Sequence, residues 1–95
     1  MKYIITESQR KKLKLYKLIK FVVDSFTFDN VVKTTFELNF NDKFGFYEID
    51  PTFYVTGFIL NEKSFLFDAK MALVNKLELY TGVHIVPVGG KLERE

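Results

Sequence analysis

Between Val31 and Phe40 apolar and polar positions alternate. Val32, Thr34, Phe36, Leu38 and Phe40 fall on one side of an extended chain, and Lys33, Thr35, Glu37 and Asn39 on the other. A period of two predicts a strand with one buried and one wet face. Asn41-Asp42-Lys43 supplies turn residues, and the chain resumes at Phe44-Gly45-Phe46-Tyr47-Glu48-Ile49. If Phe40 pairs with Phe44, Leu38 lies opposite Phe46 and both join one apolar face. Asp50-Pro51-Thr52 predicts a second connection, because proline has no amide hydrogen to give a ladder. A third strand then runs from Phe53 to Leu60. Its alternation fails, with Phe53, Val55 and Ile59 on one side and Tyr54, Phe58 and Leu60 on the other, and its register stays open. Strands apolar on both faces need two covers. Either the helices sandwich the sheet, or one face keeps an aromatic patch around Tyr47, Ile49, Tyr54 and Phe58 for a partner.

The flanking segments switch to helical periodicity. Lys2 to Ile5 is short and β-prone, a candidate strand. Thr6-Glu7-Ser8-Gln9 has the form of a capping box and predicts a helix from Glu7 to Asp24 or Ser25. On that helix Leu15, Leu18, Ile19, Val22 and Val23 share a face, with Tyr16 at its margin. Arg10, Lys14 and Lys17 lie opposite, with Leu13 and Phe21 among them. Phe26 and Phe28 anchor the connection to the sheet. After the polar turn Asn61 to Ser64, Phe65-Leu66-Phe67 fits either a strand or a first helical turn. The second helix, Ala69 to about Thr81, is accordingly capped by Asp68 or by Ser64. Leu73, Val74, Leu77 and Tyr80 form its buried stripe, and Gly82 suits the left-handed position after its end. Val83 to Val88 predicts a last strand, confined by Pro87 to an edge or an ending. Gly89-Gly90 releases the chain into a charged tail, residues 91–95. The order is β-α-β-β-β-α-β: one α+β domain over residues 1–90, with a mainly antiparallel sheet and two helices packed on it.

Charge changes this picture. The net charge of +2 hides an asymmetry: residues 1–23 hold seven Lys/Arg and one acid, giving +6, and residues 24–95 hold seven and eleven, giving −4. Arg10, Lys11 and Lys12 stand early in the helix, where cations oppose the dipole, so helix stability is not why they are there. A basic face of this kind suits solvent, an anionic partner or, less well, a membrane surface. No apolar run approaches the roughly 20 residues of a spanning helix, and the start lacks a signal-peptide pattern. The absence of Cys excludes disulfides and thiolate metal sites. A cytosolic site, or an assembly made in a cytosol, is the expected location.

The search for chemistry is mostly negative. His84 is the single histidine, better suited to a packed or edge position than to catalysis. No Cys exists, and no Ser stands in a strand-turn-helix elbow. Glu48 and Asp50 share a strand face and with Asp42 outline an acidic site, a pattern that can do acid–base work or hold Mg²⁺ but more often marks solvated strand ends. Gly89-Gly90 lacks the helix a phosphate loop needs. The expectation is no catalytic residue, no metal and no cofactor.

Two stretches resemble known families. Phe44-Gly45-Phe46-Tyr47-Glu48-Ile49 resembles the second half of the RNP1 signature of RNA-recognition motifs, with Tyr3 as the other signature aromatic; the resemblance implies stacking of bases on strand aromatics. Asp42 stands where that family carries a base and Lys43 where it carries glycine, and Asp42, Glu48 and Asp50 repel phosphate. The α-β-β-β-α order also resembles double-stranded-RNA-binding domains, whose basic cluster at the second helix is absent here. The opening Met1-Lys2-Tyr3-Ile4-Ile5-Thr6-Glu7-Ser8-Gln9 is similar to the start of many small uncharacterised proteins of tailed bacteriophages, which implies a phage-encoded virion or accessory protein.

The functional expectation is a non-catalytic interaction protein, bound to a protein partner or to itself through Tyr47, Ile49, Tyr54, Phe58, Leu13 and Phe21. The alternatives are a nucleic-acid binder using Arg10, Lys11, Lys14, Lys17 and Lys20, and an enzyme using Glu48 and Asp50 with a divalent metal.

Overall fold

The computed structural model describes residues 7–95, with side chains from Lys12 onward. The order is α1 (Glu7–Asp24), β1 (Val31–Asn41), β2 (Phe46–Val55), α2 (Glu62–Thr81), β3 (Ile85–Pro87) and β4 (Lys91–Arg94). The strand expected at Lys2 to Ile5 and the Thr6 half of the capping box lie outside the described residues. The fold is α+β. Its sheet is mainly antiparallel: β1 and β2 pair antiparallel at ten positions, while β3 and β4 lie parallel to β2 along its other edge, at three and four positions.

Three departures from the expected order share one cause. Asp50-Pro51-Thr52 is not a connection: β2 runs straight through it, Pro51 is buried opposite Phe36, and one strand stands where two were expected. The Tyr47 amide donates to the third row, and the carbonyls of Ile49 and Val55 accept from it, at 3.1, 2.8 and 3.0 Å. Successive residues of a strand point their backbone groups to alternate edges, so Pro51 also faces that row and leaves the β1–β2 ladder intact. The missing amide hydrogen falls where the third row is itself broken. From Ile49 to Thr52 the central strand advances three residues, while its partners advance four, from Pro87 to Lys91. Gly89 and Gly90, at φ 62° and 97°, take up the extra residue. The Gly90 amide bonds Asp50 Oδ1 at 2.8 Å, where a ladder bond to Pro51 would otherwise lie. Beyond the break the chain pairs again, so Lys91–Arg94 is β4 and not a free tail, and Arg94 Nη2 meets Glu62 Oε1 at 3.0 Å.

The hairpin turn is longer than expected. Asn41 anchors it, its carbonyl accepting from the Gly45 amide at 2.8 Å and its Oδ1 from the Phe44 amide at 3.1 Å; Gly45 closes it at φ 74°. Phe44 therefore belongs to the turn, and Phe40 faces Tyr47 and Leu38 faces Ile49, not Phe44 and Phe46.

Both helices pack on one face of the sheet, so the sandwich alternative does not occur. Ile19, Val22 and Val23 of α1, Ile49, Phe53 and Val55 of β2, Ala69, Leu73, Val74 and Leu77 of α2, and Ile85 form one buried cluster. α1 follows its expected bounds and apolar face, with Leu15 half-buried and Tyr16 and Leu18 at an exposed rim. Phe26 and Phe28 anchor the connection as expected: their rings stack at 6.2 Å, Phe26 meets Phe53 at 6.1 Å and Phe28 meets Phe65 at 5.2 Å. α2 starts earlier than Ala69. Asn61, extended at φ −135°, is its N-cap, with Oδ1 accepting from the Ser64 amide at 3.0 Å. Phe65-Leu66-Phe67 is thus helical, and neither Ser64 nor Asp68 caps. Gly82 ends the helix at φ 71°, its amide donating to the Glu78 carbonyl; Tyr80 lies exposed outside the buried stripe.

Candidate functional site

Three surfaces carry the residues singled out by the sequence: the open face of the sheet, the outer face of α1, and the loop between β2 and α2.

The open face is polar because alternation along the hairpin sends Thr35, Glu37 and Asn39 outward from β1 and Glu48, Asp50, Thr52 and Tyr54 outward from β2. It holds two shallow hollows of about 440 and 220 Å³. Thr35, Glu37, Asp50, Thr52, Gly90 and Lys91 line the first, and Glu37, Asn39, Glu48, Asp50 and Val88 the second. Glu48 and Asp50 share this face, as expected, and Glu37 stands directly opposite Asp50. Both expected acids are held by structural bonds: Glu48 Oε1 accepts from Asn39 Nδ2 at 3.2 Å, and Asp50 accepts from the Gly90 amide. Asp42 lies apart in the hairpin turn. Among the described residues no group of three His, Cys, Asp or Glu side chains is placed to hold a metal ion.

At the hairpin end of this face Phe44 and Phe46 stack at 6.1 Å, and the His84 ring meets Phe46 edge-on at 5.9 Å. His84 is exposed beside the start of β3, with Nδ1 3.1 Å from Glu78 Oε2. The RNP1-like stretch thus places Phe46 on the open face, Phe44 in the turn and Tyr47 on the opposite face, with Glu48 and Asp50 following along the strand. The α-β-β-β-α order shared with double-stranded-RNA-binding domains is not present, since a single hairpin joins the helices.

The aromatic patch expected on the sheet does not form. Ile49, fully buried, and Tyr47, half-buried, point under the helices. The hairpin register sets Leu38 against Ile49, and the unbroken β2 keeps Ile49 in phase with Phe53 and Val55, which corrects Ile49 as an interface residue; Tyr47 shares that face. Tyr54 is outward and half-buried, with Lys33 Nζ 5.4 Å from its ring centroid. Phe58 is 81% exposed, in a loop rather than on a third strand. Leu60, 88% exposed, was expected on that strand and not among the contact residues. The loop forms one side of a hollow of about 370 Å³, lined also by Phe28 and Phe65 and by Asp29 and Asp68. Failure of alternation after Val55 was the available signal for Leu60. Phe67, Met71 and Leu79, exposed on α2, were missed because that helix is apolar on nearly all sides.

On α1, Leu13 and Phe21 are exposed among Lys14, Lys17 and Lys20, as expected. No ion pair engages Lys12, Lys14, Lys17 or Lys20 among the described residues. The side chains of Arg10 and Lys11 lie outside the described set. No helix among the described residues is long and apolar enough to cross a membrane. Comparison of the chain with protein-family models, with curated proteins and with solved structures finds no match.

Proposed function

We propose that this chain is a non-catalytic, phage-encoded structural or accessory protein that acts by binding another protein. The observation that carries the reading is the Phe58–Leu60 loop, which holds two large apolar side chains in solvent at a hollow of mixed apolar and polar lining. Burying such side chains against a partner is worth about 1.5–3 kcal/mol each, and no packing among the described residues uses it. The opening similar to tailed-phage proteins supports the origin. A double Phe58→Ser, Leu60→Ser variant tests the contact. It should keep its thermal unfolding midpoint, bind less of a hydrophobic probe dye, and lose a partner recovered with the native chain from virions or host lysate at least tenfold. Undiminished recovery by the variant, or no dye binding and no partner for the native protein, ends this reading.

The solvent-facing lysines of α1 favour a second reading, nucleic-acid binding through Arg10, Lys11, Lys14, Lys17 and Lys20. It predicts that log affinity for a polyanion falls with log salt by about 0.7–0.9 per phosphate engaged. Salt-independent binding in a fluorescence titration removes it.

A further inference from the structure

β1 is the outermost strand of the sheet, and among the described residues only Phe28, bridging Val31 at the very start of the strand, pairs with its far edge; from Lys33 to Asn41 that edge has no partner. The hydrogen bonds of β2 fix what that edge presents. Since Tyr47, Ile49 and Val55 direct backbone groups to the third row, Glu48, Asp50, Thr52 and Tyr54 direct theirs to β1, where they face Asn39, Glu37, Thr35 and Lys33. The intervening Thr34, Phe36, Leu38 and Phe40 therefore turn their amides and carbonyls to the open side. The strand carries no proline, and its one register irregularity lies at its start, between Val31 and Lys33. A long regular edge of this kind is a template for another strand.

We infer that the occupant is β1 of a second copy, paired antiparallel about a two-fold axis so that two sheets become one. Three registers place outward backbone groups in bonded pairs near the strand centre. With Phe36 opposite Leu38 of the second copy, Glu37 meets its own equivalent and like charges repel. With Phe36 opposite Phe36, Lys33 meets Asn39 and Glu37 meets Thr35. With Thr34 opposite Phe36, Lys33 faces Glu37 twice and Thr35 faces Thr35 on the axis, in non-hydrogen-bonded pairs where side chains approach most closely. Charge selects the third register.

The helical layer agrees. Lys12 Nζ lies 5.3 Å from the Phe40 ring centroid and the Tyr16 ring 5.7 Å from that of Phe36, so α1 lies over β1 and runs antiparallel to it. Tyr16, above the residue next to the axis, is exposed, as is Leu13 one turn earlier on the same flank. The paired α1 helices would cover these two side chains across the axis. This contact is separate from the partner contact of the Phe58 loop and stands or falls without it.

Sedimentation equilibrium over low to high micromolar concentrations tests the inference. The native chain should be a dimer, and the amides of Thr34, Phe36 and Leu38 should gain protection from hydrogen exchange as concentration rises. Lys33→Glu alone, or Glu37→Lys alone, turns two attractive pairs repulsive and should weaken the dimer about tenfold. The combined K33E/E37K exchange should restore it. Phe58→Ser with Leu60→Ser should leave it unchanged. A monomer at every concentration overturns the proposal, and so does a dimer indifferent to the single charge reversals or not rescued by the exchange.

Discussion

Phe53→Ala should destabilise the domain by about 3–5 kcal/mol, the range for removing a fully buried ring. Phe53 is 0% exposed, sits at the centre of the inner sheet face opposite Thr34 and Leu92, and touches the Phe26 ring that ties α1 to the sheet. The space left would lie between strands and helices fixed by their own backbone bonds, so it cannot collapse fully. For a domain with about 5–15 kcal/mol in total, the loss is a large share of its stability. Phe21→Ala is the control. The ring is 68% exposed on α1, and its removal should change stability by no more than about 0.5 kcal/mol. Urea unfolding followed by circular dichroism measures both. Similar midpoints for the two variants would contradict the core assignment.

Asp50→Ala should cost about 1–3 kcal/mol by leaving the part-buried Gly90 amide without an acceptor. The loss should concentrate at the join between β3 and β4, where the third row depends on that bond to pass Pro51. Asp50→Asn keeps an oxygen in place and removes the like charge opposite Glu37, so its stability should equal or exceed that of the native chain. This pair separates two roles for the same carboxylate. A structural acceptor tolerates Asn and not Ala, whereas a metal or acid–base role requires the charge. Thermal unfolding of the two variants, with calorimetric titration of Mg²⁺ and Mn²⁺ into the native chain and into Asp50→Asn, decides it. A loss of divalent-ion heat on Asp50→Asn would restore the catalytic reading.

The elements that local chemistry specifies were legible in the sequence. α1 has an apolar face of period 3.6, β1 alternates from Lys33 onward although a bulge leaves Val32 exposed, and Gly82 stands where a helix must stop. What sequence could not show depends on neighbours. Pro51 marks a break only if its nitrogen faces a strand that needs a bond, and which edge it faces is set by Ile85 to Pro87, far along the chain. The Gly89-Gly90 pair signalled release, yet it serves as the bulge that lets β4 resume pairing. Asn61 was grouped with turn residues although its side chain is the helix cap. Among exposed apolar residues, Leu13 and Phe21 were readable because a polar helix face makes apolar intruders stand out. Ile49 was misplaced by the short turn that paired Phe40 with Phe44 and set Phe46 rather than Ile49 opposite Leu38, and Leu60 was hidden in what looked like a strand.

The parallel pairing of β2 with β3 has a kinetic consequence. β1 and β2 meet across one short turn, but β3 reaches β2 only after the chain has travelled out along α2 and returned. Closing the long circuit carries the larger entropic toll, so the hairpin is expected to zip first and the parallel row to arrive late. Until α2 swings back, Ile49, Phe53 and Val55 lie bare on a half-built sheet, and that interval is when a newly made chain is most apt to clump with its neighbours.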